Sequence, residues 1–230
     1  MKEEANKTAE TGALWILAMC ATIMVGLMVK REFFSGEAVL AVHAGAELEE
    51  ALLDETIGIE LGQSDGAVRV VEFVDLECPA CALYHRDVIN PLLETLEQRG
   101  ASVSFRVVLF PLPMHPFANI AAQAAVCAHQ QGRFREFVTV AFAAQREFRE
   151  EPWLRLSENA KVHDVDAFGR CLQDSAVRST LVAGEKLAME AHVRETPSIA
   201  VNGRRLPRLL STDQLLALID RLLDGDDPFQ

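Results

Sequence analysis

The chain has 230 residues, 50% of them hydrophobic and 24% charged, which is the composition of a folded protein with one sizeable core rather than of a disordered chain. Its formal net charge of −12 excludes a nucleic-acid partner, because phosphate binding needs clustered Lys and Arg and no basic run longer than Arg204-Arg205 follows the N-terminal segment. Five cysteines are too few for a small disulfide scaffold in a chain this long, so apolar burial must supply the core and each thiol needs its own account.

Residues 1–12 are a polar tail. Residues 13–29 (ALWILAMCATIMVGLMV) carry no charge over 17 positions, the short end of what spans a bilayer. The run is apolar on every face, unlike a helix that packs one stripe on a core. Lys30-Arg31 directly after it resembles a stop flank more than a cleavage site, and the small-x-small sequence Ala44-Gly45-Ala46 lies well downstream. The expectation is an uncleaved membrane anchor over 13–29 rather than a signal peptide. Cys20 lies within it, and apolar residues continue past it, which argues against a lipid-modified cysteine. Charge does not set the orientation, since Lys2 and Lys7 balance Lys30 and Arg31. Residues 30–54 read as a linker in which 47–54 can form a short helix, and 56–61 alternates weakly like a strand.

From Val68 the signal sharpens. Val68-Arg69-Val70-Val71-Glu72-Phe73-Val74 is β-branched and aromatic, as a buried strand should be, and Asp75-Leu76-Glu77 turns the chain. Pro79 suits the first position of a helix, where its missing N–H costs nothing, so Cys78 sits at a helix N-terminus. That helix should run through Leu83 and Val88 to Leu96 with a kink at Pro91, and Gly100 stops it before a strand over 102–110. After the proline-rich turn at 110–116, residues 117–187 are helical in composition and read as an insertion. Within it 119–130 is Ala-rich, Phe134, Phe137, Val138 and Phe142 share a face, and Asp164 caps a helix carrying Phe168 and Cys171. After Thr196-Pro197 come a short strand, Ser198–Val201, an Asn202-Gly203 hairpin turn, a second short strand and a last helix opened by the capping box Ser211-Thr212-Asp213-Gln214. No internal repeat is visible.

Cys78-Pro79-Ala80-Cys81 on the first turn of a helix has a direct chemical logic. Unpaired N–H groups and the positive end of the helix dipole favour the thiolate of the first Cys, whose pKa should fall. The second, three residues on, can close a disulfide and resolve a mixed one, so Cys78 is the expected nucleophile and Cys81 the resolver. The competing readings are a zinc half-site or two core thiols. Zinc wants a second close ligand pair, whereas Cys127 and Cys171 are single and distant, so no metal is expected. His85, one turn beyond Cys81, is placed to touch the rim of the site. His115, His129, His163 and His192 have no partner at ligand spacing and read as exposed or locally satisfied.

The motifs Val71-Glu72-Phe73-Val74-Asp75-Leu76-Glu77-Cys78-Pro79-Ala80-Cys81, Phe110-Pro111-Leu112 with His115-Pro116, the Ala-rich helix at 118–128 and Thr196-Pro197 before Asn202-Gly203 occur in one order and spacing. Together they resemble the DsbA-like branch of the thioredoxin superfamily, over about residues 55–223. The resemblance implies an α/β thioredoxin-like fold with a helical insertion at about 114–190, preceded by the anchor and followed by a tail at 224–230. It implies that Pro197 is a cis-proline facing the disulfide; without the family match an X–Pro bond reads as trans, since only about 5% are cis. Thr196 would then pair its backbone with a bound peptide, alongside Pro79 and Ala80. Glu72 matches an acidic residue that serves some members as proton acceptor for the buried thiol; read from the strand alone it is either that or an exposed strand Glu. Cys127 and Cys171 would form a structural disulfide of a kind some DsbA-like proteins have, or remain two buried thiols.

The implied function is thiol-disulfide exchange through a redox-active disulfide and no further cofactor, outside the cytoplasm on the periplasmic or cell-surface side of the membrane. The expected partners are substrate protein thiols and a membrane redox partner, and the expected direction is oxidation. The alternatives are a reductase or isomerase, for instance in cytochrome c maturation, and a substrate-binding or chaperone module with incidental thiols. Ala80 departs from strongly oxidising members, which carry His before the second Cys, so a weaker oxidant is expected.

Overall fold

The computed structural model describes residues 50–53 and 56–229. The expected anchor with Cys20, the tail before it and most of the linker lie outside the described residues. Among the described residues no helix is long and apolar enough to cross a membrane.

A 3-10 turn, Glu50–Leu53, precedes β1 (Ile59–Glu60) and the central strand β2 (Val68–Val74). Helix α1 (Pro79–Tyr84) passes through a π-helical turn, His85–Ile89, into α2 (Asn90–Arg99), which leads to β3 (Val103–Leu109). The insertion holds α3 (Ala118–His129), α4 (Phe134–Ala143), a 3-10 turn Gln145–Glu150, α5 (Trp153–Asn159), α6 (Val165–Cys171) and α7 (Ser175–Glu190). Then come β4 (Ser198–Val201), β5 (Arg204–Arg205) and α8 (Thr212–Leu223). The sheet order is β1-β3-β2-β4-β5, with β2 and β3 parallel and the other pairs antiparallel. This is a thioredoxin-like α/β sheet interrupted by helices between β3 and β4.

Strand β2 is central because its residues are apolar on both faces: of its seven residues only Arg69 is exposed. Val71 and Phe73 pack with Val108, Leu187 and Ala188 on the α7 side. Side chains alternate along a strand, so Val70, Glu72 and Val74 face the opposite layer, formed by α1, α2 and α8. Glu72 is thereby aimed beneath the Cys-bearing helix. On the other face Gly184 lets α7 approach closely, since a Cβ there would meet the Leu109 carbonyl oxygen at 2.9 Å.

Two features differ from the sequence expectation. The helix after Cys78 is not a single α-helix kinked at Pro91; the irregularity is the π turn ahead of it. Pro91 has no N–H to bond the carbonyl four residues back and its ring pushes that carbonyl aside. The freed Asp87 and Val88 carbonyls accept instead from the Thr212 hydroxyl at the start of α8, at 3.4 and 3.3 Å. The insertion is also divided into five α-helices, because Gly132, Pro152 and the caps at Asp164 and Asp174 interrupt its helical composition. Asp164 accepts from the Ala167 amide at 2.8 Å, and Ser211 and Gln214 form a reciprocal capping box at α8.

Cys127 and Cys171 are bonded, which joins α3 to α6 across a sequence separation of 44. Their sulfurs are spent on each other and cannot complete a zinc site with Cys78 and Cys81. Closing a loop of that length limits the unfolded chain and contributes on the order of 2–4 kcal/mol.

Candidate functional site

Cys78 is the N-cap residue of α1, extended at φ −72° and ψ 119°, with Pro79 opening the helix. Its amide donates to the Asp75 carbonyl at 3.1 Å and its carbonyl accepts the Ala82 amide at 3.2 Å. Its sulfur is therefore held over the first turn, where helix N–H groups are unpaired. Cys81, on the inner side of that turn, is fully buried, whereas Cys78 keeps 7% of its surface exposed. Both are free thiols here.

The Thr196–Pro197 peptide bond is cis. It brings the Thr196 carbonyl to 3.4 Å from Cys78 Sγ, where it accepts the thiol proton. The Thr196 hydroxyl is buried beside the same sulfurs and favours their thiolate forms.

The two thiols are driven apart in acidity. Cys78 is brought down to about 5, above all by the hydrogen bond from the Cys81 side chain; burial works against this, and the Cys81 amide, the Thr196 hydroxyl and the Ala80 amide add to it. Burial pushes Cys81 far above the ordinary thiol range, and the adjacent Cys78 adds to the effect. At neutral pH the outer sulfur is a thiolate and the inner one a thiol, which equips the pair for sequential attack and resolution.

Glu72 is fully enclosed, which removes the exposed-strand reading, and neither carboxylate oxygen makes a hydrogen bond. Burial raises its pKa to about 8. His85 does not sit on an open rim. It is 3% exposed, its Nε2 lies 3.7 Å from Glu72 Oε2, and its ring packs on Phe142. Burial, and then the charge of Arg135, lower its pKa to about 4. The pair therefore rests as a protonated carboxyl beside a neutral imidazole.

Three contacts around the site were not anticipated. Asp75 is buried, and its carboxylate accepts from the Glu77 and Leu112 amides at 2.8 Å each and contacts His115 Nδ1 at 2.7 Å. Gln145, from the insertion, donates to the Leu76 and Cys78 carbonyls at 2.9 and 3.0 Å and so ties the insertion to the active loop. Glu77 accepts the Phe117 amide at 2.5 Å. Each joins segments distant in sequence. The available hints were local: an acid at the end of a buried strand next to Cys-x-x-Cys, and a histidine fixed by flanking prolines. A groove of about 770 Å³ runs beside α1, lined by Pro79, Ala82, Leu83, His85, Phe142 and Gln145 among others.

Residues 55–221 match the family model described as Thioredoxin. The chain is similar to a sodium/proton antiporter NhaA 3 of Salinispora tropica, 34% identical over 147 residues covering 63% of this chain and 21% of the antiporter. It thus spans about a fifth of the antiporter relatives it matches. It is also similar to a probable disulfide bond formation protein D of Bacillus anthracis, 28% identical over 62% of this chain and 69% of that protein. Among solved structures, oxidised BdbD from Bacillus subtilis shares the fold at a TM-score of 0.63 and 22% identity, over 73% of this chain and 94% of that one.

Proposed function

The chain belongs to the thioredoxin family, among its DsbA-like thiol-disulfide oxidoreductases, and from that premise we propose that it forms disulfides in substrate proteins, with Cys78 as nucleophilic centre and Cys81 as resolver. The observation that carries this is the split between an acidic, partly accessible thiol and a buried, proton-holding one across a cis-proline loop.

In the oxidised enzyme a substrate thiolate attacks Cys78 Sγ. The Cys78–Cys81 bond breaks and its electron pair passes to Cys81, which takes up a proton. Glu72, protonated at neutral pH and lying on the strand beneath, is the proposed source of that proton and its acceptor in the reverse step. A second substrate thiolate then attacks the substrate sulfur of the mixed disulfide and releases Cys78 as the thiolate it favours. The substrate loses two electrons and the enzyme pair gains them. Pro79, Ala80 and Thr196 face the incoming peptide, and the Thr196 carbonyl, 3.4 Å from Cys78 Sγ, is free to accept from it in the oxidised enzyme, where Cys78 carries no thiol proton.

The apolar run at 13–29 supports a membrane anchor, with the catalytic domain on the extracytoplasmic side and re-oxidation by a membrane redox partner that the tether keeps at high effective concentration. Protease added to cells whose outer membrane, where they have one, has been opened should then degrade the domain; protection until the cytoplasmic membrane is lysed would count against this placement. The antiporter similarity covers too little of those proteins to carry ion transport to this chain.

The acidity of Cys78 supports the oxidising direction. A Cys78 pKa of about 5 stabilises the reduced form at pH 7 by about 2.7 kcal/mol, against about 0.4 for a thiol near 7. That difference amounts to roughly 50 mV for two electrons, an upper value because solvent around Cys78 screens part of it. Equilibration of the full chain with glutathione should therefore give a potential above the roughly −270 mV of thioredoxin and at most about −220 mV. A value at or below thioredoxin's would assign the protein to reduction instead.

A further inference from the structure

The Cys-x-x-Cys motif holds no cationic side chain, because position 80 is alanine. A group able to carry that charge arrives from elsewhere in the chain. His115 lies in the turn after β3, and its Nδ1 is 2.7 Å from Oδ2 of the buried Asp75 side chain. The same oxygen accepts the Leu112 amide, the other accepts the Glu77 amide, and the Asp75 carbonyl accepts the Cys78 amide. Asp75 thus fastens the His115 turn to the amides of Glu77 and Cys78.

A carboxylate on Nδ1 keeps that nitrogen protonated and leaves Nε2 as the titrating position. The ring is about 20% exposed and can exchange protons with solvent. The groups facing it are acidic. Burial alone would lower its pKa, but the hydrogen bond and charge of Asp75, followed by the charges of Cys78 and Glu77, hold it above the ordinary imidazole value. Glu77 is itself fixed by the Phe117 amide. Interaction between a cation and a thiolate is reciprocal, so each favours the charged form of the other.

We propose that His115, oriented by Asp75, is a positioning residue of the redox centre whose imidazolium favours the Cys78 thiolate and whose proton occupancy rises when the Cys78–Cys81 disulfide is reduced. The proposal rests on Cys78 being the reacting thiol. When a dithiol reduces the pair, two electrons enter, the S–S bond breaks, Cys81 takes one proton and Cys78 remains a thiolate. The new negative charge is then met by His115, which takes a proton from solvent in those molecules where it was neutral.

The test is an ultraviolet thiolate titration of the reduced full chain, wild type against His115→Ala and His115→Gln, with His115 itself followed by NMR in both redox states. The Cys78 pKa should rise by about one in both variants, a tenfold lower thiolate fraction on the acid side. His115 should titrate at lower pH in the oxidised wild type than in the reduced. Gln keeps an N–H for Asp75 but no charge, so restoration of the wild-type titration by Gln would reveal a purely structural role and overturn the proposal. An identical His115 titration in both redox states, measured on the wild type and so independent of variant folding, would overturn it as well. A thiolate signal that persists in Cys78→Ser would remove the assignment of Cys78 and this proposal with it. A signal lost in Cys78→Ser but indifferent to His115 would remove this proposal alone.

Discussion

Replacing Cys78 with Ser should abolish disulfide exchange, a loss on the order of 10³-fold or more in insulin reduction and in refolding of a reduced disulfide protein. A hydroxyl cannot form the mixed disulfide, and Cys81 cannot take over, because it is fully buried and burial keeps it protonated. At pH 7 a Cys78 pKa of about 5 makes that sulfur about 99% thiolate, so alkylation of the reduced protein should be fast and half-maximal near pH 5. Cys81→Ser should behave differently. Attack remains, resolution is lost, and a stable mixed disulfide with glutathione or substrate should accumulate. The Cys81 side chain is also the main donor to the Cys78 sulfur, so Cys81→Ala should raise the Cys78 pKa more than Cys81→Ser, whose hydroxyl still donates. Exchange surviving in Cys78→Ser, or fast acid-side alkylation lost in Cys81→Ser but kept in Cys78→Ser, would reverse the assignment.

What could be read from sequence was what local pattern controls. The strand Val68–Val74 and the helix start at Pro79 follow from side-chain alternation and proline stereochemistry, and the α8 capping box lies within four residues. The features that escaped depend on which segments the fold juxtaposes. The π turn at His85–Ile89 needs Pro91 to free two carbonyls and Thr212, from the other end of the domain, to donate to them. Asp75 and His115 are 40 residues apart, and Gln145 reaches the Cys78 carbonyl from 67 residues away. Glu72 stood out as an acid inside an apolar strand. That its neighbour would be His85 could be known only once α1 was laid across β2, because neither residue has any periodicity pointing to the other.

Stability should fall as pH rises through neutrality, and Glu72 should be the cause. Its folded pKa of about 8 lies above the 4.5 of an ordinary Glu, so between these values the unfolded chain releases a proton that the folded one keeps. Unfolding then liberates a proton, and stability declines by about 1.4 kcal/mol per pH unit, up to about 5 kcal/mol across the whole window. His85 has the opposite sign. Its folded pKa of about 4 lies below the 6.5 of a free imidazole, so between these values the unfolded chain takes a proton that the folded one refuses, and stability rises with pH. From about 4.5 to 6.5 the two slopes cancel. In the oxidised protein, where Cys78 and Cys81 are bonded and do not titrate, Glu72 dominates from 6.5 to 8, His115 adds a decline of the same sign, and urea unfolding should lose about 2 kcal/mol through Glu72 there. In Glu72→Leu most of that decline should vanish, leaving the share of His115; stability at pH 8 should rise by several kcal/mol because an unpartnered buried carboxylate is gone, and the rising limb of His85 below pH 6.5 should emerge. Parallel pH profiles for wild type and Glu72→Leu would refute this account. If the variant is more stable yet exchanges disulfides more slowly, with Cys81 failing to take up its proton at the wild-type rate, then Glu72 is an acid retained for proton transfer at the expense of the fold that encloses it.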